Sequence, residues 1–283
     1  MPHPADRPSF DADALVGTRF SDVCWVVETG STNADVLALA RQGEPEGIVV
    51  VADHQTAGRG RRGRTWEAPP EAALMATILL RPPAAVAGLT TMAVALAAAE
   101  AVEALCGVRA LLKWPNDLVW PGDGSAPDRK LAGILAEADW PPSSQVAGGW
   151  SEPSASERVV VAVGIGLNVD WDGTMPPELS DIAVALDELT APGPPPSRAE
   201  VLVKMLRGLE SRYAQLLNGA PALVEAWEAR SATIGSRVRI DLGTDDVEGT
   251  ATGVTSEGHL VVTTLEGETR ILAVGDVVHL RNG

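Results

Sequence analysis

Between Gln55 and Trp66 the chain reads Gln-Thr-Ala-Gly-Arg-Gly-Arg-Arg-Gly-Arg-Thr-Trp, which sets Arg59, Arg61, Arg62 and Arg64 among three glycines. Guanidinium forks supply charge-assisted donors matched to phosphate or carboxylate, and glycine lets a backbone come close to such a ligand. The chemistry on offer is the handling of an anion. A phosphate-binding active-site loop, a nucleic-acid patch and a solvated charged turn all use this composition, so the choice rests on the rest of the chain.

Four other runs carry useful side chains. Gly30-Ser31-Thr32-Asn33 suits a helix cap, and the same hydroxyls and amide suit a polar, uncharged ligand head beside a helix N-terminus. Lys113-Trp114-Pro115-Asn116-Asp117 crowds a cation, an amide and a carboxylate at the end of an apolar strand. There Lys113 could offset phosphate charge and Asn116 or Asp117 could hold magnesium, while a Pro-Asn-Asp turn with an extended lysine is the plainer reading. Lys130 opens an apolar run and either emerges at an edge or points into a pocket as a fixed charge. Gly164-Ile165-Gly166-Leu167-Asn168 lacks the third glycine of a dinucleotide fingerprint, so a Rossmann reading fails. Its glycines would let a strand pass close beneath a ligand, with Asn168 as a polar contact. His3, His54, His259 and His279 form no Ser/His/Asp or Cys/His set, so the expected chemistry is positioning and electrostatics.

Composition narrows the partner. The 283 residues are 45% apolar and carry a net charge of -16. Such a surface repels nucleic acid and anionic lipid, so no DNA or membrane partner is expected and any bound phosphate should be a small ligand in a local basic pocket. Cys24 and Cys106 show no CxxC spacing and are expected to be buried and reduced, without a disulfide or zinc. The start lacks the basic and apolar regions of a secretory signal, which predicts a cytoplasmic protein. The uncharged stretch 84–99 is rich in alanine, contains Thr90 and Thr91, and reads as a buried helix and not a membrane span.

The elements that must position these residues alternate between strand and helix. Residues 1–20 are expected as an N-terminal tail, 21–232 as a layered α/β domain, and 233–283 as a small β-barrel. Strands are predicted at 23–27, 47–52, 74–80, 110–113, 118–120, 130–137 and 158–164, and helices at 34–41, 89–105, 198–217 and 221–230. Polar, Pro- and Gly-rich loops are expected at 121–129 and 140–157. Short strands at 237–241, 249–254, 260–264, 269–273 and 276–280 would build the barrel.

Taken in order, 30–33, Gln55 with 58–66, 113–117, 130–137 and 164–168 closely resemble the motifs of the biotin protein ligase family. The resemblance implies a mixed-sheet catalytic domain of the class II aminoacyl-tRNA synthetase-like, biotin/lipoate transferase type, followed by an SH3-like barrel. It implies activation of biotin by ATP with Mg²⁺ to biotinyl-5′-AMP, then transfer to a lysine of a biotin carboxyl carrier domain. By the same resemblance Arg59, Arg61, Lys113 and Lys130 would be the catalytic cations. Ser31, Thr32, Asn33, Gln55, Gly58, Arg59, Gly60, Arg61, Lys130, Gly133 and Gly164 would meet biotin. Arg61, Arg62, Arg64, Trp66, Lys113, Asn116, Lys130 and Asn168 would meet ATP, and Asp117 the metal. Segments 58–64 and 169–180 would be mobile loops that order over ligand. Bifunctional members carry an extra N-terminal helix-turn-helix domain, and the short stretch before Val23 predicts a ligase without operator binding. A lipoate or octanoyl transferase of the same fold is the nearest rival, although 58–66 and 113–117 match the biotin branch more closely. An RNA-binding role for Arg59 to Arg64 is the rival from another class.

Overall fold

The structure is a computed structural model in which residues 10–121, 127–140, 145–146, 149–151, 153–243 and 245–280 are described. The chain forms β1 (Val23–Thr29), α1 (Thr32–Arg41), β2 (Val49–Gln55), β3 (Ala73–Leu80), α2 (Thr90–Cys106), β4 (Leu111–Lys113), β5 (Asp117–Trp120) and β6 (Arg129–Asp139). The two-residue strands β7 (Gln145–Val146) and β8 (Gly149–Trp150) pair with each other inside the stretch expected as loop. Then come β9 (Val160–Asn168), α3 (Pro177–Ser180), α4 (Leu186–Thr190), α5 (Arg198–Leu217) and α6 (Pro221–Glu228). Residues 122–126, 141–144, 147–148 and 152 of the two expected loops lie outside the described residues.

Seven strands make one mixed sheet in the order β1-β2-β3-β9-β6-β5-β4. β3 is buried at every position, which is why its run lacks the alternation of a half-exposed strand. α2 packs between the sheet and α5, and its alanines let it lie close on both sides. The stretch Ala84–Cys106 that contains it is long and apolar enough to cross a membrane, but as expected it is a core helix. Gly107, at φ 67, takes the left-handed turn that ends α2. Ser197 opens α5 with a reciprocal cap: its hydroxyl accepts from the Glu200 amide, and Glu200 Oε2 accepts from the Ser197 amide.

Residues 10–20 of the expected N-terminal tail pack on the core: Leu15 and Phe20 are fully buried, Phe10 packs on Trp25, and Arg19 pairs with Glu46 and Glu210 while stacking on Tyr213. One expectation is corrected here: Cys24 is exposed and Cys106 only half-buried. β1 is an edge strand, and alternation that buries Trp25 turns Cys24 to the other, uncovered face.

The C-terminal module is an antiparallel five-stranded sheet of β10 (Arg237–Asp241), β11 (Asp246–Val254), β12 (Leu260–Thr264), β13 (Thr269–Leu272) and β14 (Asp276–His279), ordered β13-β12-β11-β10-β14. Its alternating pattern puts Val238, Ile240, Val262 and Val277 inside. The Trp114 amide donates to Thr233 Oγ1 at 3.0 Å, and Trp114 Nε1 donates to the Gly258 carbonyl at 3.1 Å. His279 sits between Asp128 (3.2 Å) and Thr233 (3.4 Å). These bonds fix the barrel beside the Lys113 to Asp117 strand end.

Candidate active site

A cavity of about 480 Å³ is lined by residues of β2, β4, β5, β6 and β9, with the arginine loop on one side and β14 on another. That volume is ordinary for a small-molecule site. It gathers Ser31, Thr32, Asn33 and Gln55 at one end, and Arg61, Arg64, Lys113, Asn116, Asp117 and Lys130 at the other. Arg59, Gly60, Trp66, Gly133 and Gly164 complete the expected residues along its walls.

The first end is built from buried, uncharged groups. Thr32 begins α1 and Ser31 occupies the cap position, so the motif does start a helix as expected, but Ser31 makes no side-chain cap bond. Gln55 Oε1 accepts from the Thr32 amide at 2.8 Å. Thr77 Oγ1 donates to Asn33 Oδ1 at 2.7 Å, and the Thr32 hydroxyl lies within donating reach of both Thr77 Oγ1 (2.7 Å) and Gln55 Oε1 (3.1 Å). Asn33 Nδ2 then donates to Glu137 Oε2 at 2.8 Å and to the Leu135 carbonyl at 3.2 Å. The Gln55 amide nitrogen has a soft acceptor, Met75 Sδ at 3.5 Å, which leaves it free to donate into the cavity. A Cβ on Gly164 would lie 2.1 Å from Asn33 Oδ1. The room at Gly164 therefore serves the Asn33 side chain, where the sequence pointed to a ligand.

The second end is built from charge. Lys130 Nζ lies 2.8 Å from Asp117 Oδ1 and 5.6 Å from the centre of the Trp66 ring. Arg61 Nη1 donates to Asn116 Oδ1, to the Gly275 carbonyl (both 3.3 Å) and to Asp276 Oδ1 (3.4 Å). Arg64 also pairs with Asp276, and Arg62 lies between Asp241 (3.4 Å) and Asp276 (3.5 Å). One barrel carboxylate thus receives three loop arginines. Burial pulls the Arg61 pKa down; Asp276 and Asp117 oppose this, and Arg62 and Arg64 add to it.

The loop itself is a closed structure. Arg59 bridges to Thr65, the Gly60 amide donates to the Arg64 carbonyl at 2.7 Å, and the Trp66 amide donates to the Gly58 carbonyl at 3.0 Å. At its tip Arg62 takes a left-handed conformation, φ 54 and ψ 36, which a non-glycine residue holds only when its surroundings fix it. The Trp66 ring packs against Gly133 and Gly166, which pair with each other across β6 and β9.

Three expected contacts fall elsewhere. Asn168 is buried and donates to the Val184 carbonyl at 3.1 Å, tying β9 to the approach of α4, and does not line the cavity. Arg62 and Gly58 line a second hollow behind the loop. A Cβ on Gly58 would lie 2.4 Å from the Trp66 carbonyl, so that glycine closes the loop base. Asp117 faces Lys130, and no group of three His, Cys, Asp or Glu side chains suited to a metal occurs among the described residues. The donor set does not fit a resident metal centre. Sequence reasoning missed Thr77, Asp241 and Asp276 and gave Glu137 no role, while Gly166, expected to let the strand pass close beneath a ligand, does line the cavity. Thr77 alone left a signal, a single hydroxyl within the apolar run Leu74 to Leu80.

Residues 28–140 match the model of the biotin/lipoate A/B protein ligase family, and residues 233–280 match the biotin protein ligase C terminal domain. The chain is 37% identical over 289 residues to the biotin--[acetyl-CoA-carboxylase] ligase of Mycobacterium tuberculosis, covering 97% of each chain. It is 32% identical to the bifunctional ligase/repressor BirA of Bacillus subtilis, over 85% of this chain and 69% of that protein. The biotin protein ligase of Aquifex aeolicus in complex with biotin and ATP superposes with a TM-score of 0.71 at 26% identity, covering 93% of this chain and all of that one.

Proposed function

The chain belongs to the biotin/lipoate A/B protein ligase family, and from that premise we propose that it joins biotin to a lysine of a biotin carboxyl carrier domain at the expense of ATP. In the first step a biotin carboxylate oxygen attacks the α-phosphorus of MgATP, and the bond to the bridging oxygen breaks to release pyrophosphate. In the second, the uncharged lysine amine attacks the acyl carbon, AMP leaves, and the amine gives up its proton. Magnesium enters as a ligand of the nucleotide. The reaction runs in the cytoplasm, where ATP is available.

The observation that carries this reading is the pairing of an uncharged hydrogen-bonding cradle with a cationic end in one cavity. Biotin's ureido group offers two N–H donors and a carbonyl, to which the Ser31 hydroxyl and the Gln55 amide can answer. Lipoate offers a dithiolane with no such groups. Binding it would leave buried polar atoms unpaired, at about 1–3 kcal/mol each. The geometry therefore favours the biotin branch, which the matching C-terminal domain also supports.

At the other end Arg61, Lys113 and Lys130 face the place where two anions must meet. Fixed cations lower the repulsion between carboxylate and phosphate and hold charge developing on the departing pyrophosphate. A net charge of -16 over the whole chain supports this small-anion role over nucleic-acid binding. The test is exchange of labelled pyrophosphate into ATP with biotin or lipoate added. Exchange with biotin alone is expected; exchange with lipoate alone would move the chain to the other branch, and exchange with neither would refute the adenylation step.

A further inference from the structure

Arg59 differs from its neighbours in where its charge goes. Arg61, Arg62 and Arg64 lean toward Asp276 and Asp241 of the barrel, whereas Arg59 Nη1 lies 3.0 Å from Glu137 Oε1 on β6. The other oxygen of that carboxylate accepts from Asn33 Nδ2 at 2.8 Å. Asn33, 5% exposed, is the last member of the chain of hydrogen bonds that runs through Thr77 and Thr32 to Gln55. One carboxylate thus joins the arginine loop to the uncharged cradle.

The placement of Glu137 follows from strand alternation. Gly133, Leu135 and Glu137 share one face of β6, the face that looks toward the cavity and the loop. Arg59 stands at the base of the loop, where its bridge to Thr65 and the bond from Gly60 to Arg64 lock the two limbs together. A restraint on Arg59 is therefore a restraint on the frame that carries Arg61 and Arg64. A guanidinium turned toward a phosphate would have to leave Glu137, and the Asn33 amide would then face a carboxylate without its counter-charge.

We propose that Glu137 is a positioning residue that pins Arg59, and with it the arginine loop, to the cradle, so that Arg59 serves as a strut and not as a cation on the reacting phosphates. The kinetic half of the test rests on the biotin adenylation reading; the structural half does not. Glu137→Gln keeps an acceptor for Asn33 and removes the charge that holds Arg59, and Arg59→Met removes the other partner. Arg59→Lys keeps the cation.

In ligand-free protein, tryptic cleavage within 61–64 is expected to run about fivefold faster in Glu137→Gln and in Arg59→Met, and close to the unmutated rate in Arg59→Lys. In biotin-dependent exchange each of the first two is expected to lower kcat/KM for biotin about tenfold, with the ATP KM within about twofold. The double variant should lose no more than either single one, because both changes break the same link. A loss of about a hundredfold or more in kcat for Arg59→Met beside unchanged Glu137→Gln would overturn the proposal and return Arg59 to the phosphates. So would multiplicative losses in the double variant, or unchanged cleavage in Glu137→Gln. Should Glu137→Gln fail to fold, Glu137→Asp, which shortens the reach and keeps the charge, is expected to raise cleavage about twofold, and no rise would count against the strut. No turnover with biotin in the unmutated protein would refute the adenylation reading and leave cleavage to decide the strut.

Discussion

At the Thr32 end of the cavity the polar groups are buried, uncharged and bonded to one another, while at the Lys130 end they are charged, partly exposed and faced by carboxylates of the same chain. The first end recognises by desolvation. A ligand that fails to match a buried donor or acceptor leaves it unpaired, and the cost is large. The second end works by redistribution, because Asp117 and Asp276 hold the cations in place and an entering anion takes over bonds already made. On the proposed reading, selectivity and rate would be housed in different parts of one site.

If that division holds, the largest effect should follow from removing a cation beside the reacting atoms. Lys130→Ala is expected to reduce the adenylation kcat by about 10²–10³-fold, read as pyrophosphate exchange. Its melting curve should barely move, since the half-exposed pair with Asp117 contributes little to stability. A cradle change should act differently: Gln55→Ala removes the Thr32 acceptor and is expected to raise the biotin KM about tenfold with little change in kcat. Equal losses of kcat in both variants would erase the distinction.

Salt sharpens the comparison next. Raising ionic strength from about 0.05 to about 0.5 M should raise the ATP KM several-fold and leave the biotin KM within about twofold, because screening acts on exposed charge and hardly on buried hydrogen bonds. The smallest effect concerns the seam between the two domains. Burial is the main cause holding His279 below its ordinary pKa of 6.5, with Lys113 adding to it and Asp128 opposing. The unfolded chain then binds a proton over a range where the folded chain resists one, so stability is full above about pH 6.5 and declines as the pH falls below it. Denaturation followed between neutral and mildly acidic pH should show that decline, and His279→Gln should flatten it.

How much of this was legible depended on how far apart in sequence the cooperating groups lie. The arginine loop, the Ser31 to Asn33 run and Lys113 to Asp117 each concentrate several informative residues within a short stretch, and of their glycines and polar or charged side chains expected at the site, only Gly58, Arg62 and Gly63 fail to line the cavity. Thr77 and Asp276 are single residues in strands, and their meaning comes only from partners supplied by the sheet and the barrel. Asn168 shows the same dependence on the fold. A polar residue after an apolar strand reads as a ligand contact, but its amide is taken by the Val184 carbonyl. Among the elements, β3, α2 and α5 were readable from long apolar or periodic runs, whereas the packing of Leu15 and Phe20 depends on α5 and a distant Glu210.

The paired glycines of β6 and β9 carry one more implication, for which exchanges of residue the fold permits. Gly133 and Gly166 are register partners, and the Trp66 ring fills the shallow slot their missing side chains leave. A Cβ at 166 would lie 2.4 Å from that ring. The volume belongs to the three residues jointly, so their mutational histories are tied: an alanine at 166 becomes tolerable only alongside a smaller side chain at 66, and either order of substitution passes through a damaged intermediate.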